Sequence, residues 1–288
     1  MQNTETWYKA KGDCASDEFE LTSFLLFEAG IASLEELDSA LPGRTDFCFY
    51  TKDLSERDRI VKMFPQFHFK VSEEADVDWV QAFRESAKPV QVSPHLWVRP
   101  PWVKFIPEDP EAIVLELEAK TAFGTGEHDT TQGSANLMEM IDLQGKTVLD
   151  IGTGTGILSM FARRRGAKFA VGTEIDPVTL PCIAENFERN GFEKSDCVLG
   201  NLEVFQEGVH FDVIVCNMFL REFWPLRKNV LRLLSKEGRL ILAGLLVTEK
   251  EIVLDWFQEE GLAMEQEYTS REWWSVLGYI CEKNKTKL

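Results

Sequence analysis

The sequence has no long apolar run and no segment typical of a secretion signal. The longest clear apolar run, Leu240 to Val247, is far shorter than the roughly 20 residues that a membrane-spanning helix needs. The first residues, MQNTETWYKAKGD, lack the basic stretch followed by an apolar one that marks a signal peptide. We therefore expect a cytoplasmic protein that does not associate with a membrane.

Candidate metal ligands are few and scattered. The chain has six cysteines without a C-x-x-C pair, and its four histidines are dispersed along the sequence. Metal sites in proteins require closely spaced cysteine, histidine or carboxylate ligands. We therefore expect no metal site, and we expect the cysteines to be reduced residues that serve in packing.

Positive charge is also scarce. The 288 residues include 31 Lys and Arg against 48 Asp and Glu, which gives a formal net charge of −17. Direct binding to a nucleic acid needs Lys and Arg on the contact surface, so nucleic acid is not the expected substrate. A basic protein partner is compatible with this charge, although an acidic surface that only maintains solubility explains it equally well.

What the sequence does contain is a glycine-rich turn between two apolar runs. The run Thr147 to Ile151 predicts a strand that leads into the turn and then into a helical pattern. The glycines of the turn are Gly152, Gly154 and Gly156. The second run, Phe169 to Gly172, predicts a parallel strand that is buried on both faces. Together these elements predict a βαβ unit.

A carboxylate after the second strand makes this unit a candidate nucleoside site. Glycines allow the backbone and a helix N-terminus to approach a ligand closely, and Glu174 could accept hydrogen bonds from a ribose diol. The dinucleotide fingerprint G-x-G-x-x-G would need a glycine where Ile157 stands, and no P-loop sequence occurs. The nucleoside is therefore not expected to be a dinucleotide.

The spacing G-x-G-x-G after Asp150 resembles instead the first motif of methyltransferases that use S-adenosyl-L-methionine. In such a site Asp150 would either order the turn or bind the ammonium group of the cofactor, and Glu174 would bind the ribose. The alternative is a glycine-rich turn in an unrelated doubly wound fold.

Residues 6–72 have their own alternation of predicted elements. Strands are predicted at Trp7–Lys11, Ile31–Leu37, Phe47–Thr51 and Phe67–Val71, and helices at Asp17–Ala29 and Leu54–Phe64. The order βαββαβ suggests a small ferredoxin-like α+β domain. We place its end at residue 72, a linker with a short helix, Trp79–Ser86, at 73–94, and a larger domain at 95–288.

The larger domain is predicted to be α/β, with a mostly parallel sheet of about seven strands. Besides the βαβ unit, its strands are predicted at Ala112–Glu118, Cys197–Leu199, Phe211–Cys216, Leu240–Leu245, Glu267–Thr269 and Trp274–Glu282. A helix is predicted after Asp176 and Pro177, although Pro181 would delay its start or bend it. Ligands bind at the carboxyl ends of such strands, where Asn217 and, near the adenine edge, Asn201 stand.

One further segment could close over a ligand. The segment TAFGTGEHDTT, residues 121–131, has two glycines next to Phe123, and Thr130 or Thr131 can start the helix that follows. The alternatives are structural: Thr130 would only cap this helix, and Asn217 would only cap the helix that begins near Leu220.

Several motifs give a more specific resemblance. With FGTGEHDTT at 123–131 and the glycine turn about 20 residues later, the sequence resembles the bacterial methyltransferases of ribosomal protein L11, the PrmA family. The similarity extends to DWVQAFRESAKPVQV at 78–92, LWVRPPW at 96–102 and REWWSVLGY at 271–279. It implies a ferredoxin-like substrate-recognition domain, a mobile linker and a class I (Rossmann-like) methyltransferase domain that methylates lysine side chains and an α-amino group.

The resemblance also implies roles for individual residues. Thr131, Gly152, Glu174 and Asn217 fall where the family contacts S-adenosyl-L-methionine, with aspartate usual at the position of Glu174. The run Asn217 to Phe223 departs from the family's pattern beside the acceptor, as does Glu118-Ala119-Lys120 before the 123–131 motif. A methyltransferase of another protein or of a small molecule, and a non-catalytic module that binds the cofactor, therefore stay open.

Methyl transfer from a sulfonium is an in-line displacement that needs a neutral amine and no metal. We expect the Asn217 side chain, or the backbone carbonyls of residues 216–218, to accept hydrogen bonds from that amine. We expect Phe123 and Phe219 to separate it from water.

Overall fold

The computed structural model describes residues 6–37, 39, 41–75, 87–118, 122–192 and 196–281. The predicted linker helix, Trp79–Ser86, lies outside the described residues. The chain divides into two compact units, residues 1–86 and 87–288. Each unit is described by itself.

The first unit is a four-stranded antiparallel sheet with two helices. Its elements are β1 (Thr6–Ala15), α1 (Phe19–Glu28), β2 (Glu35–Leu37), β3 (Arg44–Thr51), α2 (Leu54–Met63) and β4 (Lys70–Ala75). The strand order is β2-β3-β1-β4, with every neighbouring pair antiparallel. This is the βαββαβ arrangement of the ferredoxin-like fold, as predicted.

The predicted strands Trp7–Lys11 and Phe47–Thr51 are longer in the structure, and the other two strands of this unit begin later than predicted. The strand predicted from Ile31 begins only at Glu35, and the strand predicted from Phe67 begins only at Lys70. Phe67 belongs to a 3-10 turn opened by Pro65, and its ring packs edge-on against Phe47 at a centroid distance of 5.5 Å. An apolar residue can thus reach the core from a turn. Its hydrophobicity alone does not show whether it lies in a turn or in a strand.

The second unit contains a seven-stranded sheet and a three-stranded sheet. The small sheet consists of β5 (Val90–Ser93), β6 (Leu96–Arg99) and β7 (Ile113–Glu116). The strands of the large sheet are β8 (Thr147–Ile151), β9 (Phe169–Glu174), β10 (Cys197–Leu199), β11 (Phe211–Asn217), β12 (Leu234–Leu246), β13 (Leu262–Ser270) and β14 (Trp273–Ile280). The helices are α3 (Asp129–Glu139), α4 (Ile157–Arg164), α5 (Leu180–Arg189), α6 (Leu220–Leu233) and α7 (Lys250–Glu260).

The large sheet confirms the predicted α/β fold. Its strand order is β10-β9-β8-β11-β12-β14-β13. The first five strands in this order are parallel, and β14 and β13 are antiparallel to their neighbours. The central strands bury both faces, which explains why their sequences are continuous apolar runs: Val148 and Val213 face one core, and Leu149 and Ile214 face the other.

The helix after β9 begins later than its acidic start signal suggests. Asp176 Oδ1 accepts a hydrogen bond from Val178 N–H at 2.9 Å in a preceding turn, and α5 begins at Leu180 with Thr179 as its N-cap. Pro181 therefore lies in the first turn, where a missing N–H breaks no helical hydrogen bond. The prediction that this proline delays the helix is confirmed.

The strand order reverses direction between β8 and β11, so a crevice forms above their carboxyl ends. Gly152 follows β8 and Asn217 ends β11. In open parallel sheets this switch point is the usual place for a ligand.

Candidate functional site

A cavity of about 720 Å³ occupies this switch point, a volume suited to a nucleoside-sized ligand. Six of the candidate catalytic and cofactor-binding residues line it: Phe123, Gly152, Gly154, Glu174, Asn201 and Asn217. Phe219, which we expected to separate the amine from water, lines it as well. They come from different strand ends and loops, and the topology of the sheet brings them together.

Three other predicted residues do not line the cavity. Thr131 is buried, and its Oγ1 accepts a hydrogen bond from Asn217 Nδ2 at 3.4 Å. Gly156 lies against the ring of Phe187. Asp150 is buried beneath the turn. Their predicted contacts with a cofactor stay predictions.

The buried carboxylate of Asp150 orders the glycine turn. One of its oxygens accepts hydrogen bonds from Thr153 Oγ1 at 2.7 Å, Ser159 N–H at 3.1 Å and Ser159 Oγ at 2.9 Å. Burial raises the pKa of Asp150, and these hydrogen bonds oppose the increase. The carboxylate thereby occupies the N-terminus of α4, the place where a phosphate would otherwise bind.

The backbone donors of the turn are also already used. Gly152 and Thr153 donate to the carbonyl of Thr173 at 2.9 and 3.0 Å, and Thr155 donates to the carbonyl of Phe123 at 2.9 Å. A pyrophosphate would need such N–H groups to be free. The turn shapes a wall of the cavity and does not form a phosphate cradle.

The two glycine motifs of the sequence interlock, which their separation along the chain does not reveal. Gly154 has a φ of +56°, and a Cβ there would overlap the carbonyl oxygen of Phe123. A Cβ on Gly124 would lie 2.7 Å from Thr155 Oγ1, which donates to the Gly124 carbonyl at 2.8 Å. Only glycine permits this approach, so the loop that carries Phe123 is held on the turn.

Glu174 points its carboxylate back toward the turn. Its Oε1 accepts from Ile175 N–H at 2.8 Å and Asp176 N–H at 3.2 Å, and its Oε2 accepts from Gly154 N–H at 3.3 Å. Asp176 and Glu222 also line the cavity, and none of the described residues that line it is Lys or Arg. The cavity therefore suits a positively charged ligand and disfavours a phosphorylated one.

Asn217 presents its side-chain amide to the cavity. One N–H of its Nδ2 donates to Thr131 at 3.4 Å, which orients the amide and leaves the carbonyl oxygen and the second N–H for a ligand. The helix that follows has Phe219 at its N-cap without a side-chain hydrogen bond, so Asn217 does not cap it. Met218 N–H donates to the Ala243 carbonyl at 3.0 Å, which anchors the backbone after Asn217.

Asn201 is the N-cap of the short 3-10 turn Leu202–Val204. Its Oδ1 accepts from Glu203 N–H at 2.9 Å while the residue also lines the cavity. It thus has both a local structural role and access to a ligand.

An aromatic rim surrounds the mouth of the cavity. The ring centroids of Phe123 and His128 are 5.4 Å apart, those of His128 and Trp273 are 5.2 Å apart, and those of Trp273 and Phe219 are 6.0 Å apart. Phe123 is 55% exposed. His128 is the N-cap of α3, and its Nδ1 accepts a hydrogen bond from Thr130 N–H at 3.3 Å. Thr130, the cap suggested by the sequence, therefore lies inside the helix.

Sequence reasoning missed His128 and Trp273 as parts of the rim. Both lie inside motifs noted for their resemblance, at 123–131 and 271–279, which was the available signal. Over the described ranges, no group of three or more His, Cys, Asp or Glu side chains is placed to hold a metal ion. No helix in the described part of the chain is long and apolar enough to cross a membrane.

Comparisons with known proteins agree with this geometry. The family model described as ribosomal protein L11 methyltransferase (PrmA) matches residues 16–279. The ribosomal protein L11 methyltransferase of Vibrio campbellii is 37% identical over 220 residues, which are 74% of this chain and 70% of that protein. The corresponding protein of Vibrio cholerae is 31% identical over 301 residues, covering 94% of this chain and 98% of that one.

A solved structure is also similar. The crystal structure of ribosomal protein L11 methylase from Lactobacillus delbrueckii subsp. bulgaricus superposes with a TM-score of 0.61 at 25% sequence identity. The superposition covers 67% of this chain and 98% of that chain.

Proposed function

Since this chain belongs to the ribosomal protein L11 methyltransferase family, we propose that it transfers methyl groups from S-adenosyl-L-methionine to amino groups of ribosomal protein L11. The observation that carries the proposal is the cavity at the switch point. Its lining is acidic, the backbone N–H groups of its glycine turn are already bonded within the protein, and the amide oxygen of Asn217 lies at the end of β11.

The residues present fit this cofactor better than a dinucleotide. Asp150 fills the anion site of α4 with the protein's own carboxylate. We assign the ribose to Glu174 and the adenine edge to Asn201, and the presence of both residues in the cavity lining supports this assignment. When bound, S-adenosyl-L-methionine supplies a methyl group that its positive sulfonium activates. The acidic lining favours that charge.

We assign the acceptor amine to Phe123, Phe219 and Asn217, which line the same cavity. A lysine of pKa about 10.4 is neutral in only about one molecule in a thousand at pH 7.4, a cost of roughly 4 kcal/mol. Phe123 and Phe219 exclude water from the amine, and desolvation lowers its pKa. The Asn217 carbonyl oxygen accepts an amine N–H and directs the nitrogen lone pair toward the methyl group.

The division of labour between the two units is part of the proposal. All of the described residues that line the cavity belong to 87–288, which supports assignment of catalysis to the predicted domain 95–288. We assign substrate recognition to the ferredoxin-like unit and a connecting role to the residues between β4, which ends at Ala75, and β5, which begins at Val90. The net charge of −17 supports a basic protein, and not nucleic acid, as the acceptor. A ribosomal substrate places the reaction in the cytoplasm.

One observation favours a second candidate, methylation of another protein or of a small amine. Glu222, in the first turn of α6, lines the cavity within the run that departs from the family pattern. A carboxylate there changes the charge that an acceptor meets, while the cofactor side of the cavity keeps its residues.

The test is transfer of label from S-adenosyl-L-methionine to purified ribosomal protein L11 and, in parallel, to a lysate of source cells that lack this enzyme. Label in L11, with mass increments of one methyl group, is the expected result. Label only in another protein or in a small molecule would establish the second candidate. Cofactor binding without transfer to any acceptor would mean a non-catalytic module.

A further inference from the structure

A second cavity, of about 450 Å³, lies on the other side of the aromatic rim. It is formed by the loop at 122–129 and by the turn at 271–273. Phe123, His128 and Trp273 line both cavities. The three rings therefore separate the candidate cofactor site from a second space that opens beside it.

The turn that bounds the second cavity is unusual. Ser270 pairs with Trp273, so Arg271 and Glu272 alone connect β13 to β14. Arg271 has a φ of +53°, in the left-handed region, which costs a side-chain-bearing residue about 1 kcal/mol. Such strain persists only where surrounding contacts hold it.

Asp129 provides those contacts. Its Oδ2 forms an ion pair with Arg271 Nη2 at 2.9 Å, and its Oδ1 accepts from Ser270 Oγ at 2.8 Å. Asp129 is 8% exposed and is the first residue of α3, where the helix dipole favours a carboxylate. The turn is thus fixed to α3, and the charges of Arg271 and Asp129 offset each other.

Two charges in the second cavity have no such partner. The carboxylates of Glu127 and Glu272 are exposed, and neither forms an ion pair or a side-chain hydrogen bond with another residue in the described part of the chain. The second cavity therefore presents net negative charge directly beside the rim. A segment rich in Lys or Arg complements it.

We propose that the second cavity binds the basic segment of the substrate protein that carries the acceptor amine. Glu127 and Glu272 face cationic side chains of that segment, while the amine reaches Asn217 past the shared rings. This proposal rests on the proposed function, because it assumes a protein acceptor. The proposal adds that the acceptor approaches the candidate cofactor site from the second cavity, and that negative charge recognises it.

The test compares two double variants with equal loss of charge. One is Glu127→Gln with Glu272→Gln. The control is Glu259→Gln with Glu260→Gln on α7, where both residues are exposed and away from either cavity. A fluorescein-labelled Lys-rich peptide is titrated by anisotropy at low and high ionic strength. KM for L11 and the Kd for S-adenosylhomocysteine, by calorimetry, are measured in parallel.

We expect the first double variant to weaken peptide binding and to raise the KM for L11 about fivefold at low salt, with a smaller effect at high salt. The Kd for S-adenosylhomocysteine should not change, and the control should behave like the wild type. Equal affinities of the wild type and the first double variant, or an equal loss in the control, would overturn the proposal. If the wild type does not methylate L11, the proposed function fails separately, and the peptide titration still decides this proposal.

Discussion

Replacing Glu174 with alanine tests whether this carboxylate anchors the cofactor. In the free protein Glu174 accepts three backbone N–H groups, so it is already oriented beside the turn. Two hydroxyl groups of a ribose that donate to a carboxylate contribute about 1.5 kcal/mol each or more. Because Glu174 is partly exposed, we reduce each contribution to about 1 to 1.5 kcal/mol, a sum of about 2 to 3 kcal/mol, which is roughly a 30- to 150-fold loss of affinity.

The assay is isothermal titration of each variant with S-adenosylhomocysteine, with the melting temperature as a check on folding. Glu174→Asp keeps the charge but cannot reach Gly154 N–H as glutamate does, so we expect it to bind within about fivefold of the wild type. Glu207→Ala, an exposed acidic residue of the same unit that lines neither cavity, is the matched control. A Kd for Glu174→Ala within threefold of the wild type, in a folded protein, would refute the assignment.

Three further predictions concern the acceptor, the turn and an ion pair. Asn217→Ala should lower kcat/KM about 100-fold in the labelled transfer assay; unchanged kcat/KM would remove Asn217 from the mechanism. Gly154→Ala should lower the melting temperature by roughly 4 to 12 °C, because the new Cβ would overlap the Phe123 carbonyl oxygen and the backbone has a positive φ. The control is Gly208→Ala, where φ is +83° but the Cβ would meet open space, so the loss should be smaller. Equal losses in the two variants would contradict the overlap. Glu139 Oε2 accepts a hydrogen bond from His95 Nδ1 at 2.6 Å, which raises the pKa of His95. The stabilisation is therefore complete below about pH 6.5 and is lost as pH rises through the raised pKa. His95→Gln should lower the melting temperature at pH 6 and barely at pH 9, and an equal effect at both pH values would contradict this account.

The periodicity of the sequence was sufficient for the large sheet because its central strands are buried on both faces. Runs such as Val213 to Cys216 are apolar at every position and buried at every position, which is typical of a central parallel strand. The ends of the strands were less predictable, because burial of a side chain does not show whether its backbone joins a sheet. Ile31 is buried like a strand residue, yet the strand begins at Glu35, because a side chain can be buried without a ladder hydrogen bond.

The strand ends also made part of the site predictable. Gly152, Glu174 and Asn217 each follow or end a predicted strand, and parallel strands bring such residues to one edge. Sequence could not decide between the two roles open to Asp150, since ordering the turn and binding an ammonium group require the same residue. His128 and Trp273 meet only because the antiparallel strand β14 returns beside α3, a tertiary contact that no local pattern encodes.

Glu174 has opposite effects on the two ligands of the proposed reaction, and the sheet keeps these two effects apart. A carboxylate stabilises a sulfonium, but it also raises the pKa of a nearby amine and so opposes its deprotonation. Glu174 ends β9 and Asn217 ends β11, with β8 between them, which separates the two positions by about 10 Å. Over that distance the interaction of two unit charges falls to roughly 0.4 kcal/mol in water and 1.7 kcal/mol at an effective dielectric of 20. The penalty that Glu174 places on the amine is therefore smaller than the roughly 4 kcal/mol needed to deprotonate a lysine. Exclusion of water by the rim offsets part of that larger cost, because it disfavours the charged form of the amine.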